Sequence, residues 1–196
     1  MTAVQRILPD RCCGLIIDLQ GFFLSQIDKR LRSAIKTNTA NFLRLLGYFQ
    51  IPIVVTIERP VDVKGSLPNE IGKHLNDRAR TFEKSFFDVC KDKKIKTHLG
   101  RLKRRQVLVA GCETDVCVLQ SCLGLLSLGY QVYVIEELIF SSSSNVQAAT
   151  ARMKDQGVVF VSYKSLYYEL VESVDGPPNQ KGKRSFPDEL PDTALR

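Results

Sequence analysis

Short apolar runs alternate along the chain with longer stretches in which apolar residues recur at helical spacing. Five of the runs are rich in β-branched residues and too short for helices, which is typical of strands buried on both faces. They lie at residues 12–17, 51–57, 106–110, 131–135 and 158–162. The aromatic segment at residues 81–87 predicts a sixth, short strand.

Three of the intervening stretches predict helices. Residues 115–128 and 145–156 are each followed by a glycine, which suits a left-handed helix cap. Residues 27–48 place five apolar side chains on one side of a helix: Leu31, Ile35, Phe42, Leu45 and Leu46. This alternation predicts an α/β fold of three layers, in which a six-stranded parallel sheet has helices on both faces.

The chain has 196 residues, of which 44% are hydrophobic and 25% are charged, values typical of one globular domain. From residue 175 the sequence becomes rich in proline, glycine and charge. We therefore predict one domain over residues 1–174 and a flexible polar tail over residues 175–196. No apolar stretch approaches the roughly 20 residues of a membrane span, so a membrane partner is not expected.

Cysteine usage bears on the compartment. Most of the six cysteines lie within apolar runs and not at the spacings of a secreted disulfide framework. The N-terminal residues also lack the long apolar core of a signal peptide. Reduced thiols and a cytoplasmic location are therefore expected.

The net charge of +7 comes from one segment, since residues 64–105 contain thirteen lysines and arginines against five acids. Such a balance indicates either an anionic partner or a solvated helix face. Within it, residues 91–105 lack the interleaved aromatic side chains and the motifs of nucleic-acid binding. The sequence therefore favours a solvated helix face over a nucleic-acid partner.

Four chemically capable side chains lie on or after predicted strands. Asp18 and Glu58 follow two of the strands, Lys84 lies within the short strand TFEKSFF, and Cys117 follows a fourth after the sequence VLVAGCETDV. Because ligands of parallel sheets bind at the carboxyl ends of strands, we expect all four on one rim.

Cys117 has two interpretations. At the start of a helix capped by Thr114 or Asp115, the helix dipole and free amides would favour its thiolate and could receive an oxyanion. It could equally be a small buried apolar residue, as most free cysteines are. Cys112 and Cys122 lack the spacing of a redox or zinc motif, so packing is the favoured interpretation for both.

Asp18 and Lys84 also have more than one interpretation. Asp18 could cap the turn after its strand or act as a general base facing the thiol. Lys84 lies among aromatic residues, so it must reach solvent or pair with an acid. If both converge on Cys117, the carboxylate can take the thiol proton while the ammonium stabilises the anions.

Four motifs in this order resemble the isochorismatase-like cysteine hydrolases: LIIDLQGFF at 15–23, FEKSFFD at 82–88, GCETDVCV at 111–118 and GYQVYVIEE at 129–137. The resemblance implies a catalytic triad of Asp18, Lys84 and Cys117, in which the sulfur attacks a carbonyl carbon and a thioester acyl-enzyme follows. It also implies a non-proline cis peptide before Glu113, with the amides of Glu113 and Cys117 aimed at the oxyanion.

The segment after the second strand, TIERPVDVKGSLPNEI, departs from the nicotinamidases of this family because it contains no histidine for a metal. It resembles the metal-free, YcaC-like subgroup, so neither a metal nor another cofactor is expected. The resemblance favours a small amide or carbamoyl substrate, since isochorismatases that cleave a vinyl ether lack the nucleophilic cysteine. It also implies a homo-oligomer, and Phe23, Glu58 and Phe87 are candidates for the substrate pocket.

A second hypothesis stays open at this point. The same fold could belong to a catalytically silent or redox-responsive binding protein in which Cys117 is oxidised or merely retained. Loss of turnover in a folded Cys117→Ala variant would separate the two.

Overall fold

A computed structural model describes residues 6–174, and the tail predicted at 175–196 lies outside the described residues. Six strands form one sheet in the order β3-β2-β1-β4-β5-β6, and every adjacent pair is parallel. The strands are β1 Cys12–Ile17, β2 Ile53–Glu58, β3 Arg80–Lys84, β4 Gln106–Cys112, β5 Gln131–Phe140 and β6 Val159–Val161. The predicted parallel sheet of six strands is confirmed.

Helices lie between the strands, and one more follows the last strand. They are α1 Gly21–Ser25, α2 Lys29–Tyr48, α3 Val61–Lys64, α4 Asn69–Gly72, α5 Lys93–Arg101, α6 Leu119–Ser127, α7 Gln147–Asp155 and α8 Tyr163–Val171. A short 3-10 turn, Val89–Lys91, precedes α5, and a π-helical turn, Thr114–Val118, precedes α6.

The hydrophobic core lies in two layers, one on each face of the sheet. Ile16 of β1 packs in the layer that contains residues of α2 and α8. Its neighbour Leu15 packs in the opposite layer, with residues of α5, α6 and α7. Because successive side chains of a strand point to opposite faces, β1 contributes to both layers and is buried throughout. The three-layer prediction is confirmed.

Two details of the predicted helices are wrong. Leu31 is 38% exposed, because it lies in the first turns of α2, away from the buried middle of the helix. The helix predicted from residue 115 begins only at Leu119, and neither the π-helical turn nor α6 has a side-chain cap. Thr114 is buried, and the Asp115 carboxylate instead accepts a hydrogen bond from Ser141 Oγ at 2.6 Å.

The basic segment forms α5, whose Ile95 and Leu99 are buried while Lys93, Lys94 and Lys96 are exposed. Asp92 caps this helix by accepting hydrogen bonds from the backbone amides of Lys94 and Ile95. The arrangement is that of an amphipathic surface helix with its charge in solvent.

Gly111 determines how closely the carboxyl ends of the two central strands approach. It is paired with Ile17 in the sheet and has a φ of +124°. A Cβ atom at this position would lie 2.0 Å from the carbonyl oxygen of Ile17. Only glycine fits, and the contact places the residue after β1 beside the turn that follows β4.

We predict that Gly111→Ala destabilises the protein by about 3 kcal/mol or more, since it combines a disfavoured φ with a backbone clash. Urea unfolding measures the change. Gly100→Ala in α5 is the matched control, because no atom lies within 4 Å of the added Cβ. It should stabilise the protein by about 0.5–1 kcal/mol. Equal stability of the two variants would contradict the close approach.

Candidate active site

Four side chains meet at the carboxyl ends of four neighbouring strands. Asp18 follows β1, Glu58 and Lys84 end β2 and β3, and Cys117 lies in the π-helical turn after β4. Since β3, β2, β1 and β4 are consecutive in the sheet, their ends bring these groups to one place. The structure thus brings together all four residues expected on one rim.

Lys84 lies at the centre of the group, and its side chain is fully buried. Its Nζ atom is 2.6 Å from Asp18 Oδ2, 3.3 Å from Glu58 Oε2 and 3.4 Å from Cys117 Sγ. Burial alone would lower the pKa of the ammonium, but Asp18, Cys117 and Glu58 together outweigh burial and raise it. Lys84 therefore pairs with acids and stays charged.

Asp18 is buried, and both of its carboxylate oxygens have partners. Oδ2 contacts the Lys84 ammonium, and Oδ1 accepts a hydrogen bond from Thr56 Oγ1 at 2.9 Å. Its backbone has a φ of 50°, a left-handed conformation that aspartate tolerates. Burial raises the pKa of this carboxyl, while Lys84 and the hydrogen bonds oppose the rise. These contacts favour a role in the site over the turn-capping alternative.

Cys117 is 2% exposed, and its Sγ atom donates to Glu58 Oε2 at 3.2 Å. Burial raises the pKa of this thiol above its ordinary value, Asp18 raises it further, and Lys84 only partly opposes them. The direction is opposite to that expected from a helix N-terminus, because the sulfur is buried and two carboxylates flank it. The resting sulfur therefore carries its proton.

Glu58 was a candidate for the substrate pocket, and the structure places it against the sulfur. Its Oε1 accepts a hydrogen bond from Lys64 Nζ, and its Oε2 faces Cys117 and Lys84. Burial raises the pKa of Glu58, but the hydrogen bond from Lys64 and its other partners outweigh burial and lower it. Sequence reasoning missed Lys64 because its position in a short helix is visible only in three dimensions.

Gln20 fixes the backbone around Glu58. Its amide oxygen accepts from the Glu58 backbone N–H at 2.7 Å, and its Nε2 donates to the Glu58 carbonyl at 3.1 Å and to the Gly65 carbonyl at 2.7 Å. The side chain is wholly buried and joins the end of β2 to the end of α3. Its place two residues after Asp18 in LIIDLQGFF was the available signal.

Three members of this group carry atoms that could bind a metal ion. Ligand atoms of Asp18, Glu58 and Cys117 lie within 4.8 Å of one another, a spacing that would suit one. The Lys84 ammonium, however, lies within 3.4 Å of all three residues. A protein cation thus fills the centre of this group, and the site does not fit a metal there.

The turn after β4 contains the cis peptide that the resemblance implied, between Cys112 and Glu113. The Glu113 side chain points to the loop after β5, where its Oε2 accepts from Ser141 Oγ at 2.7 Å and from the Ser142 backbone N–H at 2.9 Å. Cys112 Sγ donates to the Asp18 carbonyl at 3.1 Å. These bonds fasten the turn on both sides of the peptide.

The two aromatic candidates for the substrate pocket differ in their exposure to solvent. Phe23 is 8% exposed, and the Lys64 ammonium lies 5.6 Å from its ring centroid, so it adjoins the Glu58 side of the site. Phe87 is 57% exposed on the loop after β3. Its carbonyl accepts from Ser121 Oγ at 3.2 Å, which anchors the loop to α6.

These features define a three-layer α/β protein with a buried cysteine among charged groups at the carboxyl ends of its strands. The isochorismatase domain matches residues 12–165, and the chain belongs to the isochorismatase family of hydrolases. The secreted isochorismatase effector Isc1 of Phytophthora sojae is 32% identical over 179 residues, covering 88% of this chain and 82% of that protein.

Solved structures show the same architecture. The MAR1 ribonuclease from Caenorhabditis elegans superposes with a TM-score of 0.81 at 26% identity, covering 88% of each chain. YcaC from Pseudomonas aeruginosa, solved with hexane-2,5-diol and covalent acrylamide, gives a TM-score of 0.82 at 21% identity and covers 88% of this chain and 86% of that one.

We predict that Lys84→Met destabilises the protein by about 3–5 kcal/mol at neutral pH, since it leaves buried carboxylates without their cation. The pKa of Asp18, already raised in the folded protein, rises further. A carboxyl group whose pKa is raised by folding stabilises the folded protein at low pH. This contribution is lost as the pH rises through the pKa of the folded state. The loss measured by urea unfolding should therefore be smaller at pH 5 than at pH 8.

The double variant Asp18→Asn with Lys84→Met is the control. It removes the titrating carboxyl, so its loss should depend less on pH than that of Lys84→Met alone. An equal loss at both pH values in the single variant would contradict the assigned charge pairing.

Proposed function

We propose that this protein is a metal-independent cysteine hydrolase that cleaves the C–N bond of a small amide or carbamoyl compound. One observation carries the proposal: a single buried ammonium, Lys84 Nζ, lies within 3.4 Å of two carboxylates and a thiol. Nucleophile, base and cation are the three parts that amide cleavage through a thioester requires.

The reaction begins from a neutral thiol. When Cys117 Sγ attacks the carbonyl carbon, the proton leaves for a neighbouring carboxylate; Asp18 is the base that the family resemblance implies. Lys84 offsets the negative charge on the carboxylates and on the sulfur as the S–C bond forms. The backbone amides of Glu113 and Cys117 are the proposed donors to the oxyanion.

The proton then passes to the leaving nitrogen, the C–N bond breaks, and a thioester remains on Cys117. Water hydrolyses this acyl-enzyme, which releases the acid and restores the thiol. The raised pKa of Cys117 supports this order, because a sulfur that rests protonated supplies the proton that the departing amine needs.

The burial of the sulfur argues against the redox-responsive alternative. A redox-sensor thiol is accessible and has a low pKa, whereas Cys117 is 2% exposed and its pKa is raised. The phosphodiester of RNA is also disfavoured, since Lys84 and Lys64 already match Asp18 and Glu58 and its negative charge would have no partner in the site. A cytoplasmic location, a homo-oligomeric state and Phe23 and Phe87 as pocket walls stay predictions.

We expect Cys117→Ala to abolish turnover of small amides while leaving the fold intact, because no other group replaces the nucleophile. Product amine or ammonia released from a panel of primary amides and ureido compounds measures the effect, and circular dichroism checks the fold. Cys90→Ala is the matched control, since this thiol is partly exposed and lies in the 3-10 turn before α5. Turnover that survives in Cys117→Ala would overturn the proposal.

A further inference from the structure

The site contains a second ammonium, that of Lys64, to which the proposed triad gives no role. We propose that Lys64 is a specificity-determining residue that binds the substrate, and that it selects small uncharged amides whose chain carries a second oxygen acceptor, such as a carbonyl, hydroxyl or ether oxygen. As a statement about substrates this inference rests on the proposed function. The recognition itself can be tested on the sulfur without any hydrolysis.

The two ammonium groups differ in their partners. The Lys84 side chain is fully buried, and its Nζ atom contacts Asp18 at 2.6 Å, Glu58 at 3.3 Å and Cys117 at 3.4 Å. An ammonium carries three N–H donors, so these contacts occupy all of them. Lys64 bonds Glu58 Oε1, and no other acceptor for its ammonium lies within the described residues 6–174. Two of its N–H donors can therefore bind a ligand.

Exposure to solvent increases along the contacts that lead away from the nucleophile. Cys117 is 2% exposed, whereas the side chains of Glu58 and Lys64 are 12% and 19% exposed. The side chains of Asp18 and Lys84, on the other side of the sulfur, are wholly buried. The group therefore opens towards solvent at Lys64, and a molecule that reaches the sulfur from this side passes the ammonium.

One carboxylate joins the Lys64 ammonium to the nucleophile. Glu58 accepts Lys64 Nζ at its Oε1 and the Cys117 thiol at its Oε2, 3.2 Å from Sγ. Because a hydrogen bond spans about 3 Å, Nζ and Sγ lie no more than about 8 Å apart. The carbon under attack lies about 3–3.5 Å from the sulfur. A chain of a few heavy atoms can therefore place its carbonyl at the sulfur and a second oxygen at Lys64.

Aromatic rings provide apolar surface beside these donors. The Lys64 ammonium lies 5.6 Å from the ring centroid of Phe23, which is 8% exposed. The ring of Phe22 meets that of Phe23 edge to face, with centroids 5.3 Å apart, and Phe22 is 41% exposed. A ligand held here thus has carbon surface for its chain and N–H donors for one oxygen, which is the usual composition of a small-molecule site.

The charges of the site favour an uncharged oxygen over a carboxylate. Lys64 is already paired with Glu58, and Lys84 with Asp18. A carboxylate on the ligand would add a negative charge without a partner to a group that is largely buried, where such a charge is costly. A neutral oxygen accepts an N–H without changing the balance, and a hydrogen bond from a charged donor is stronger than one from a neutral donor.

The backbone around Lys64 is restrained from the neighbouring strand end. The Gln20 side chain donates to the carbonyl of Gly65, the residue after Lys64, and bonds both the N–H and the carbonyl of Glu58. These bonds set the end of α3 against the end of β2. A donor whose backbone is held in this way is organised before the ligand binds, which reduces the entropic cost of binding.

The first test compares three alkylating probes that share one reactive group, the N-pentyl, N-ethoxyethyl and N-methoxypropyl derivatives of chloroacetamide. The sulfur displaces chloride from each, and the mass of the peptide that contains Cys117 measures the rate. The chains have equal length and differ only in one methylene group replaced by oxygen. We expect at least one ether to react about tenfold faster than the pentyl probe, as for a hydrogen bond to a charged donor.

In Lys64→Met the ratio of ether to pentyl rates should fall to about one. Loss of the ammonium also changes the sulfur itself, but such a change affects all three probes alike and cancels in the ratio. A ratio of one in the unchanged protein, or a preference that survives Lys64→Met, overturns the proposal. An N-carboxypropyl probe that reacts faster than both ethers would overturn the restriction to uncharged ligands.

Lys154→Met is the matched control for Lys64→Met. Lys154 also pairs with a glutamate, Glu136 at 3.8 Å, and lies 4.9 Å from the ring centroid of Phe160. Its pair includes none of the groups that contact the sulfur. This variant should keep the preference of the unchanged protein, and its loss there would show that the ratio does not report on Lys64.

Hydrolysis gives the second comparison. Pentanamide and methoxypropanamide also differ only in one methylene group replaced by oxygen. We expect a lower KM for methoxypropanamide that is lost in Lys64→Met with a smaller effect on kcat, because bound substrate and transition state make the contact equally. If neither amide is hydrolysed but the alkylation preference depends on Lys64, the hydrolase proposal fails and the recognition stands. Hydrolysis without any preference in either series has the opposite meaning.

Discussion

The site depends on the burial of one ammonium group. The Lys84 side chain is buried away from solvent. Its charge is stable there only because Asp18 lies 2.6 Å away and Glu58 and Cys117 also contact the ammonium. The same ammonium offsets the mutual repulsion of the two carboxylates. Each member of the group is therefore a condition for the burial of the others, and they form one cooperative unit.

The order of the strands in the sheet determines where these four residues lie. Parallel strands end at one edge, and the central position of β1 puts Asp18 between Glu58 on one neighbour and the turn after β4 on the other. Gly111 allows that turn to approach the end of β1, where any Cβ would meet the Ile17 carbonyl. The close contact between the thiol and its charged neighbours therefore requires a residue without a Cβ atom at position 111.

Much of this arrangement could be predicted from residue patterns. Buried β-branched runs separated by helical periodicity are enough to indicate a parallel sheet, and strand ends are enough to place Asp18, Lys84 and Cys117 on one rim. The start of α6 and the protonation of Cys117 could not be predicted, because both depend on contacts distant in sequence. Asp115 is bonded to Ser141 and not to the helix, and burial, together with the carboxylates beside the sulfur, raises the pKa of the Cys117 thiol.

The contacts of Glu58 are a second feature of the site that could not be predicted from the sequence. Its position after β2 indicated that it would reach the rim, but not that its carboxylate would bond Lys64 and Cys117 or that Gln20 would bond its backbone. Hydrophobic periodicity carries no information on such polar contacts, since they join short helices and loops whose geometry the core does not dictate. The polar details of the site are consequently less visible in sequence than its framework.

The charge balance of the site bears on the kind of substrate it can accept. Asp18 and Glu58 are matched by Lys84 and Lys64 while Cys117 holds its proton, so the resting group is electrically neutral. In the proposed reaction a neutral amide would preserve this balance through attack and departure, because only a proton would move within the group. A charged substrate would leave an unmatched charge next to buried carboxylates and ammonium groups, where low polarity makes it costly. The overall charge of +7 does not alter this argument, because exposed lysines of α5 are screened by solvent and the balance at the sulfur is set by its immediate neighbours.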